Sequence, residues 1–234
     1  MFRRFGFVLA ATVLIAAPAS AQDKKVSINI GGGYTGIYGS GKDHVGNGGN
    51  FVFGALFHVS KVVSLQGEYS FTGVGKKNIK LPVSIAPGGS AVPTDFFSDG
   101  DMHVFDFNVL AGAPTSGKVA PYFKTGFGVY HRTAKITTPA VGFTTVCDPW
   151  WYACYPVAVS VDQVVGSRGS ADFGMNFGGG LNFKMGDNSS FYFEILYHYV
   201  WGPTLDTSKL PAGVTVKNTK ATGQFMPITF GVRF

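Results

Sequence analysis

The last twelve residues of the chain, 223–234, constrain its fold more than any other segment, because apolar residues alternate through them to the end. One face of this segment is apolar: Met226, Ile228, Phe230, Val232 and Phe234. The other face is smaller and more polar: Phe225, Pro227, Thr229, Gly231 and Arg233. An alternation with a period of two residues predicts a β-strand with one apolar face, which packs against a core or faces lipid.

The first 21 residues have the pattern of a cleaved export signal. Arg3 and Arg4 are followed by an apolar, uncharged run over 5–17, and then by small residues at Ala19 and Ala21. The apolar run is shorter than the ~20 residues that a membrane-spanning helix needs. We therefore expect a signal peptide at 1–21, and a single exported domain at 22–234.

The composition favours a barrel that sits in a membrane. The 234 residues include 33 Gly and 22 Phe, and only 14% of them are charged. A soluble exported domain normally carries more charge on its surface. A lipid-facing band needs aromatic residues, and a narrow lumen needs glycine where side chains crowd against the backbone.

The chain after the signal divides into eight predicted strands with connections of alternating length. The predicted strands are 25–36, 49–59, 63–73, 102–113, 120–132, 171–184, 190–201 and 223–234. The long connections are 37–48, 74–101, 133–170 and 202–222, and the short ones are 60–62, 114–118 and 185–189. Short periplasmic turns that alternate with long external loops are typical of transmembrane barrels. The sequence therefore predicts an all-β fold: an eight-stranded antiparallel up-and-down barrel, closed so that no strand edge faces lipid.

Three segments resemble the eight-stranded barrels of the outer membrane protein A family: 121–130, 173–182 and the C-terminal strand. This resemblance implies a bacterial outer-membrane protein, delivered by periplasmic chaperones and inserted by the barrel-insertion machinery. It also implies that Phe230, Val232 and Phe234 form the assembly signal of the last strand. The sequence stops after strand eight, so we expect no peptidoglycan-binding domain of the kind that larger family members carry.

Alternation points several charged and titratable side chains into the lumen: Glu68, Asp106, Lys124, Glu194, His58 and His198. Glu68, Lys124 and Glu194 lie four or five residues from the periplasmic ends of their strands, which predicts a similar height. Because charges inside a membrane are costly unless they are paired, we expect Lys124 to bridge one or both carboxylates. The resemblance implies a comparable salt-bridge plug, although Arg233 lies at the rim and not at that height.

Two interpretations of this predicted charge belt stay open. In the first, Glu68, Asp106, Lys124 and Glu194 form a structural plug without transport. In the second, they form a gate, and the protein is a narrow gated channel for ions or small solutes. The second interpretation predicts that Lys124→Ala changes the conductance.

The third external segment carries the chain's two cysteines, Cys147 and Cys154. Their spacing and the oxidising compartment predict a disulfide. The bridge could simply order a long loop. Alternatively, it could present an aromatic contact patch to a partner or to outer-leaflet lipid: Trp150, Trp151, Tyr152 and Tyr155.

Patterns that could indicate an enzyme are weak. Gly31, Gly33 and Gly36 match a dinucleotide fingerprint literally, but no helix is predicted after them. His58 and Ser60 have a deacylase-like spacing, but at a periplasmic turn. Two cysteines without a nearby histidine make a poor zinc site. We therefore expect no catalytic residue, metal or cofactor.

The predicted external segments concentrate basic residues, which suit the phosphates of lipopolysaccharide as well as plain solvation. No basic run with interleaved aromatic residues suits nucleic acid. The sequence therefore predicts a monomeric outer-membrane barrel with a structural or surface-interaction role, such as adhesion or lipid contact, through its external loops.

Overall fold

The structure, a computed structural model, describes residues 25–83, 92–113, 117–147, 154–186, 189–203 and 221–234. They form eight antiparallel strands in a closed barrel, with neighbours in chain order. The strands are β1 Val26–Tyr38, β2 Gly48–His58, β3 Val63–Val83, β4 Val92–Gly112, β5 Val119–Cys147, β6 Cys154–Lys184, β7 Ser190–Trp201 and β8 Gly223–Arg233. The predicted fold class and strand number are confirmed.

The barrel closes through β1, which pairs with β2 on one side and with β8 on the other. Tyr34, for example, lies opposite Gly49 in β2 and opposite Ile228 in β8. Closure leaves every strand of the described wall with two neighbours. This matters because lipid offers no hydrogen bonds to an open sheet edge.

The two faces of the wall follow the alternation of the sequence. On β4 the outward Phe105 and Phe107 are more than half exposed, whereas the inward Val104, Asp106 and Asn108 between and beside them are buried. Outward aromatic residues of this kind continue around the barrel and form the apolar band that faces lipid.

Four strands are much longer than predicted, and the prediction that 74–101 and 133–170 are loops is therefore wrong. The β3–β4 ladder runs out to Val83 opposite Val92, and the β5–β6 ladder runs out to Cys147 opposite Cys154. Beyond the predicted strand ends these strands continue as the β3–β4 and β5–β6 hairpins, which stay paired to each other through β4 and β5 as far as Phe97 opposite Thr137. Lipid-facing alternation is no longer required there, although the backbone ladder persists, so the membrane pattern ends earlier than the strands.

The opposite end of the barrel has the short turns that were predicted, between β2 and β3, β4 and β5, and β6 and β7. The β1–β2 connection contains a 3-10 helix, Gly39–Asp43. No helix in the described part of the chain is long and apolar enough to cross a bilayer. The predicted signal at 1–21 and the loop tip with Trp150, Trp151 and Tyr152 lie outside the described residues.

Candidate functional site

The lumen contains a buried ion cluster formed by three strands, which we call the charge belt: Glu68 of β3, Lys124 of β5 and Glu194 of β7. Lys124 Nζ lies 2.8 Å from Glu68 Oε1 and 2.9 Å from Glu194 Oε1. The Lys124 side chain is completely shielded from solvent. One cation thus neutralises two carboxylates across the axis, as the strand heights predict.

The second oxygen of each carboxylate also has a partner. Glu68 Oε2 accepts hydrogen bonds from Gln66 Nε2 at 2.6 Å and from Asn29 Nδ2 at 3.3 Å. Glu194 Oε2 accepts one from the Tyr122 hydroxyl at 2.8 Å. Buried ion pairs offset the cost of leaving water only when such additional hydrogen bonds are present.

Arg233 takes part in this network, although the sequence placed it at the rim without a role. Its guanidinium lies 5.3 Å from the ring centre of Tyr122 and 5.0 Å from that of Tyr192. Arg233 Nη1 also donates to Asn182 Oδ1 at 2.9 Å. Arg233 therefore supports the belt through Tyr122, which holds Glu194. Strand periodicity alone could not reveal a link that runs through an aromatic ring on another strand.

Asp106, the fourth residue of the predicted belt, is buried in the lumen but lies outside the ion cluster. It forms no salt bridge with any described residue, and its Oδ1 has no hydrogen-bond partner there. Its side chain lies over Gly128 of β5, where a Cβ would overlap the carboxylate. Lys124 already has two closer carboxylates, so the belt consists of three residues and not four.

A second barrier, which we call the apolar plug, fills the lumen on the hairpin side of the belt. It consists of Met102, Val104, Tyr130, Val200 and Phe225, with Ile37 packed against it. All five core members are at most 4% exposed. The plug was not predicted from the sequence.

His198 lies at the boundary between the plug and the belt. Its Nδ1 is 2.9 Å from the Tyr130 hydroxyl, and its ring stacks on Phe225 with 4.5 Å between ring centres. A cavity of about 10 Å³ separates His198 from Glu68 and Glu194. A space of that size holds roughly one water molecule. On the other side of the belt, Leu56, Leu110 and Tyr122 form a smaller apolar cluster.

The enzyme-like patterns have structural explanations. His58 Nε2 is 2.8 Å from Ser27 Oγ and its Nδ1 is 2.8 Å from Ser64 Oγ, whereas Ser60 Oγ accepts from backbone amides of its own turn. His58 and Ser60 therefore do not form a pair. A Cβ on Gly31 would overlap the Tyr192 hydroxyl, so this glycine makes room inside the lumen. The described residues contain no group of three metal-ligating side chains.

The hairpin end of the barrel carries further ion pairs. Arg132 donates to Asp172 Oδ2 through Nη2 at 2.6 Å and through Nε at 3.2 Å. Lys76 of the β3–β4 hairpin pairs with Asp162 of the β5–β6 hairpin, and this hydrogen bond raises the pKa of Lys76. The second pair ties the two hairpins to each other.

The β5–β6 hairpin projects beyond its neighbours. β4 pairs with β5 only as far as Phe97 opposite Thr137, so 138–147 and 154–163 form a free two-stranded ribbon, which we call the distal ribbon. Val141 is 73% exposed and Phe143 is 79% exposed. At its end the backbone places Cys147 opposite Cys154, and Tyr155 opposite Val146. This register suits the predicted disulfide.

Comparisons with known proteins agree with the barrel. The chain matches the family described as "Outer membrane protein beta-barrel domain" over residues 7–218. No curated protein matches it in sequence. A major outer membrane protein from Thermus thermophilus has a similar structure, with 12% identity, a TM-score of 0.51, and coverage of 90% of this chain and 99% of that one.

Two further solved structures are similar to a lesser degree. Neisserial surface protein A has 13% identity and a TM-score of 0.48, and covers 90% of this chain and 96% of its own. Ail, the attachment invasion locus protein of Yersinia pestis, has 17% identity and a TM-score of 0.42 in its complex with sucrose octasulfate, with coverage of 89% and 97%. The family match spans most of the sequence, and the chain therefore belongs to the outer membrane protein β-barrel domain family.

Proposed function

We propose that this outer-membrane barrel is a non-conducting, non-catalytic surface protein that makes contacts through its external hairpins. The observation that carries the proposal is the contrast between a filled lumen and a long exposed ribbon. The charge belt and the apolar plug close the interior with buried side chains. An eight-stranded barrel is just wide enough to be filled in this way.

The distal ribbon has the properties of an interaction surface. It presents the large apolar side chains of Val141 and Phe143 to water, which a soluble surface normally avoids in extended patches. A lone two-stranded ribbon is marginally stable in water. The ion pair between Lys76 and Asp162 supports its base, and a disulfide between Cys147 and Cys154 would secure its end.

The environment of the protein follows from the same proposal. Cleavage after Ala21 would release the mature chain into the periplasm, where chaperones and the barrel-insertion machinery would read the terminal strand with Phe230, Val232 and Phe234. In the membrane, lipopolysaccharide phosphates would surround the basic residues of the hairpins. We propose a monomer, because closure leaves the described barrel wall without an open edge.

Excision of the distal ribbon tests the proposal. Thr138 lies opposite Gln163, so joining these positions with a two-residue turn shortens the hairpin without changing its register. Cells that display this variant should lose adhesion to epithelial cells and to one another, relative to cells with equal amounts of the wild type. Heat-modifiable gel mobility would show that the shortened barrel is folded. Undiminished adhesion in both assays would contradict the proposal.

Point variants locate the contact within the ribbon. Replacing both Val141 and Phe143 with serine should reduce adhesion nearly as much as excision does, because it removes the exposed apolar patch. Thr144→Ser is the matched control on the same strand and should have no effect. Thiol titration of the native protein tests the Cys147–Cys154 bridge separately, and two reactive thiols would rule it out.

A further inference from the structure

A dead-end cavity lies inside the mouth of the barrel, at the hairpin end. It has a volume of about 400 Å³. This falls in the range of small-molecule sites in proteins. Its apolar lining includes Ile37, Val45, Val74, Met102, Pro203 and Phe225. Met102 and Phe225 also belong to the apolar plug, so the floor of this mouth cavity is the barrier itself.

Two arginines line the mouth cavity, and they differ in their partners. Arg132 is paired with Asp172. Arg168 lines the cavity as well and forms no salt bridge or hydrogen bond with any described residue. The acidic residue of the lining, Asp101, has Lys135 Nζ at 3.7 Å and His103 Nε2 at 3.8 Å. The available charge in the cavity is therefore positive.

A cavity with an apolar floor and an unpaired guanidinium suits a ligand that has both an apolar part and an anionic group. We propose that the mouth cavity binds a free anionic amphiphile, an alkyl carboxylate or alkyl sulfonate, which enters from the external medium. The alkyl chain packs against Met102 and Phe225, and the headgroup accepts charge-assisted hydrogen bonds from Arg168. Membrane lipid is a less suitable source because the barrel wall separates the cavity from the bilayer.

This site is separate from the proposed adhesive surface. The distal ribbon consists of 138–147 and 154–163, and none of these residues lines the mouth cavity, which β5 reaches only at 132–134 and β6 only at 168–170. The plug stops the ligand at the cavity floor, so the site binds without translocation. Loss of adhesion after ribbon excision and loss of ligand binding are therefore independent outcomes.

Methionine methyl groups offer a direct probe of the cavity. The mature chain has Met102 at the cavity floor, Met175 and Met226 on the lipid face, and Met185 at a short-turn end. The mature protein, labelled with 13C at its methionine methyl groups, is placed in phosphatidylcholine nanodiscs and titrated with octane-1-sulfonate. We expect a saturable shift of the Met102 signal, while the Met175 and Met226 signals report only partition of the probe into lipid. A linear shift of all three together would overturn the proposal.

Charge selectivity provides the second arm of the experiment. Arg168→Gln should weaken octane-1-sulfonate binding about tenfold, in line with the loss of a hydrogen bond to a charged group. Lys42→Gln, a nearby basic residue outside the lining, should leave it unchanged. Octylammonium should not shift Met102 in the wild type. Equal binding of octylammonium, or unchanged affinity in Arg168→Gln, would overturn the assignment.

A third arm identifies the source of the ligand. Nanodiscs that contain phosphatidylglycerol supply anionic lipid without any added sulfonate. The Met102 signal should be the same in these nanodiscs as in phosphatidylcholine. A Met102 shift that is caused by anionic lipid alone would overturn the free-solute source and assign the cavity to a lipid headgroup.

Discussion

The charge belt and the apolar plug close the same lumen by opposite chemistry. The belt places Lys124 between Glu68 and Glu194 at hydrogen-bonding distance, and its remaining polar atoms are bound by neighbouring side chains. The plug, a few residues further towards the hairpins, contains no charged side chain and packs Val104, Tyr130 and Phe225 together. A polar barrier and an apolar barrier therefore lie in series.

The two barriers differ in how they respond to damage. A buried ion cluster is coupled, because removal of one partner leaves an uncompensated charge in a water-poor site. An apolar cluster loses packing gradually as methylene groups are removed, and it blocks ions by staying dry. The belt should therefore dominate the stability of the barrel, whereas the plug should dominate its impermeability.

The largest effect is expected from Lys124→Met, which removes the only cation of the belt and leaves Glu68 and Glu194 facing each other. Breaking a buried pair in this way costs about 3–5 kcal/mol. Urea unfolding in phospholipid vesicles, followed by gel mobility, measures the loss in the free energy of unfolding. A loss below about 1 kcal/mol would show that the belt is hydrated and screened.

The matched control removes all three charges together. Lys124→Met combined with Glu68→Gln and Glu194→Gln leaves no unpaired ion, and replacement of a buried ion cluster by neutral groups is often close to neutral in stability. This triple variant should therefore be more stable than Lys124→Met alone. If both variants are equally unstable, packing and not charge explains the effect of Lys124.

The next largest effect concerns Phe225, whose ring stacks on His198 and packs on Tyr130. Phe225→Ala should destabilise the barrel by about 3 kcal/mol through the cavity that it leaves. Conductance measurements in planar bilayers, with this variant included, test whether the plug and not the belt blocks ions. Lys124→Ala alone should stay silent, because the plug is intact, whereas Phe225→Ala together with Lys124→Ala should show discrete openings.

This conductance experiment separates the proposed function from its alternative. Discrete openings in the wild type would favour the gated channel and would contradict the proposal of a non-conducting barrel. Openings in Lys124→Ala alone would show that the belt is the gate and that the plug does not hold back ions.

The belt could be predicted from the sequence because its information is local to each strand. Alternation gives the face of Glu68, Lys124 and Glu194, and the distance of each from its short turn gives the height. Charged residues are also rare in this chain, so few combinations compete. Alternation also places Asp106 on the lumen face, but only the three-dimensional distances show that Lys124 is already paired with Glu68 and Glu194.

The plug could not be predicted because its members look like ordinary barrel residues. Tyr130 and Phe225 resemble the lipid-facing aromatics in type, and the five residues come from β4, β5, β7 and β8. Their proximity depends on the stagger of the closed barrel. For the same reason Arg233 looked isolated at the rim, although it stacks on Tyr122 and Tyr192.

The hairpins show a second limit of sequence-based prediction, which concerns where a strand ends. The predicted strand ends at 73 and 132 mark the loss of the lipid-facing pattern, whereas β3 runs to Val83 and β5 runs to Cys147. The residues beyond the membrane need only a backbone ladder and can vary in polarity on both faces. Hydrophobic periodicity therefore locates the bilayer-spanning part of a strand, and not its end.

The smallest effect is expected from Tyr122→Phe, which tests how far the belt depends on its supporting hydrogen bonds. Tyr122 donates to Glu194 Oε2 at 2.8 Å. Because Lys124 still neutralises Glu194, and the Phe ring can still stack under Arg233, only the hydrogen bond is lost. Its removal should cost about 1.5–3 kcal/mol, the usual range for a hydrogen bond to a charged group.

Combining Tyr122→Phe with the triple neutral variant shows whether this cost belongs to the belt. Without the carboxylate of Glu194, the hydroxyl has only a neutral amide to bind, so the same substitution should cost less than about 1 kcal/mol. Urea unfolding of the wild type, Tyr122→Phe, the triple neutral variant and their combination gives the coupling energy directly. An equal cost in both backgrounds would show that the contribution of the Tyr122 hydroxyl does not depend on the charges of the belt.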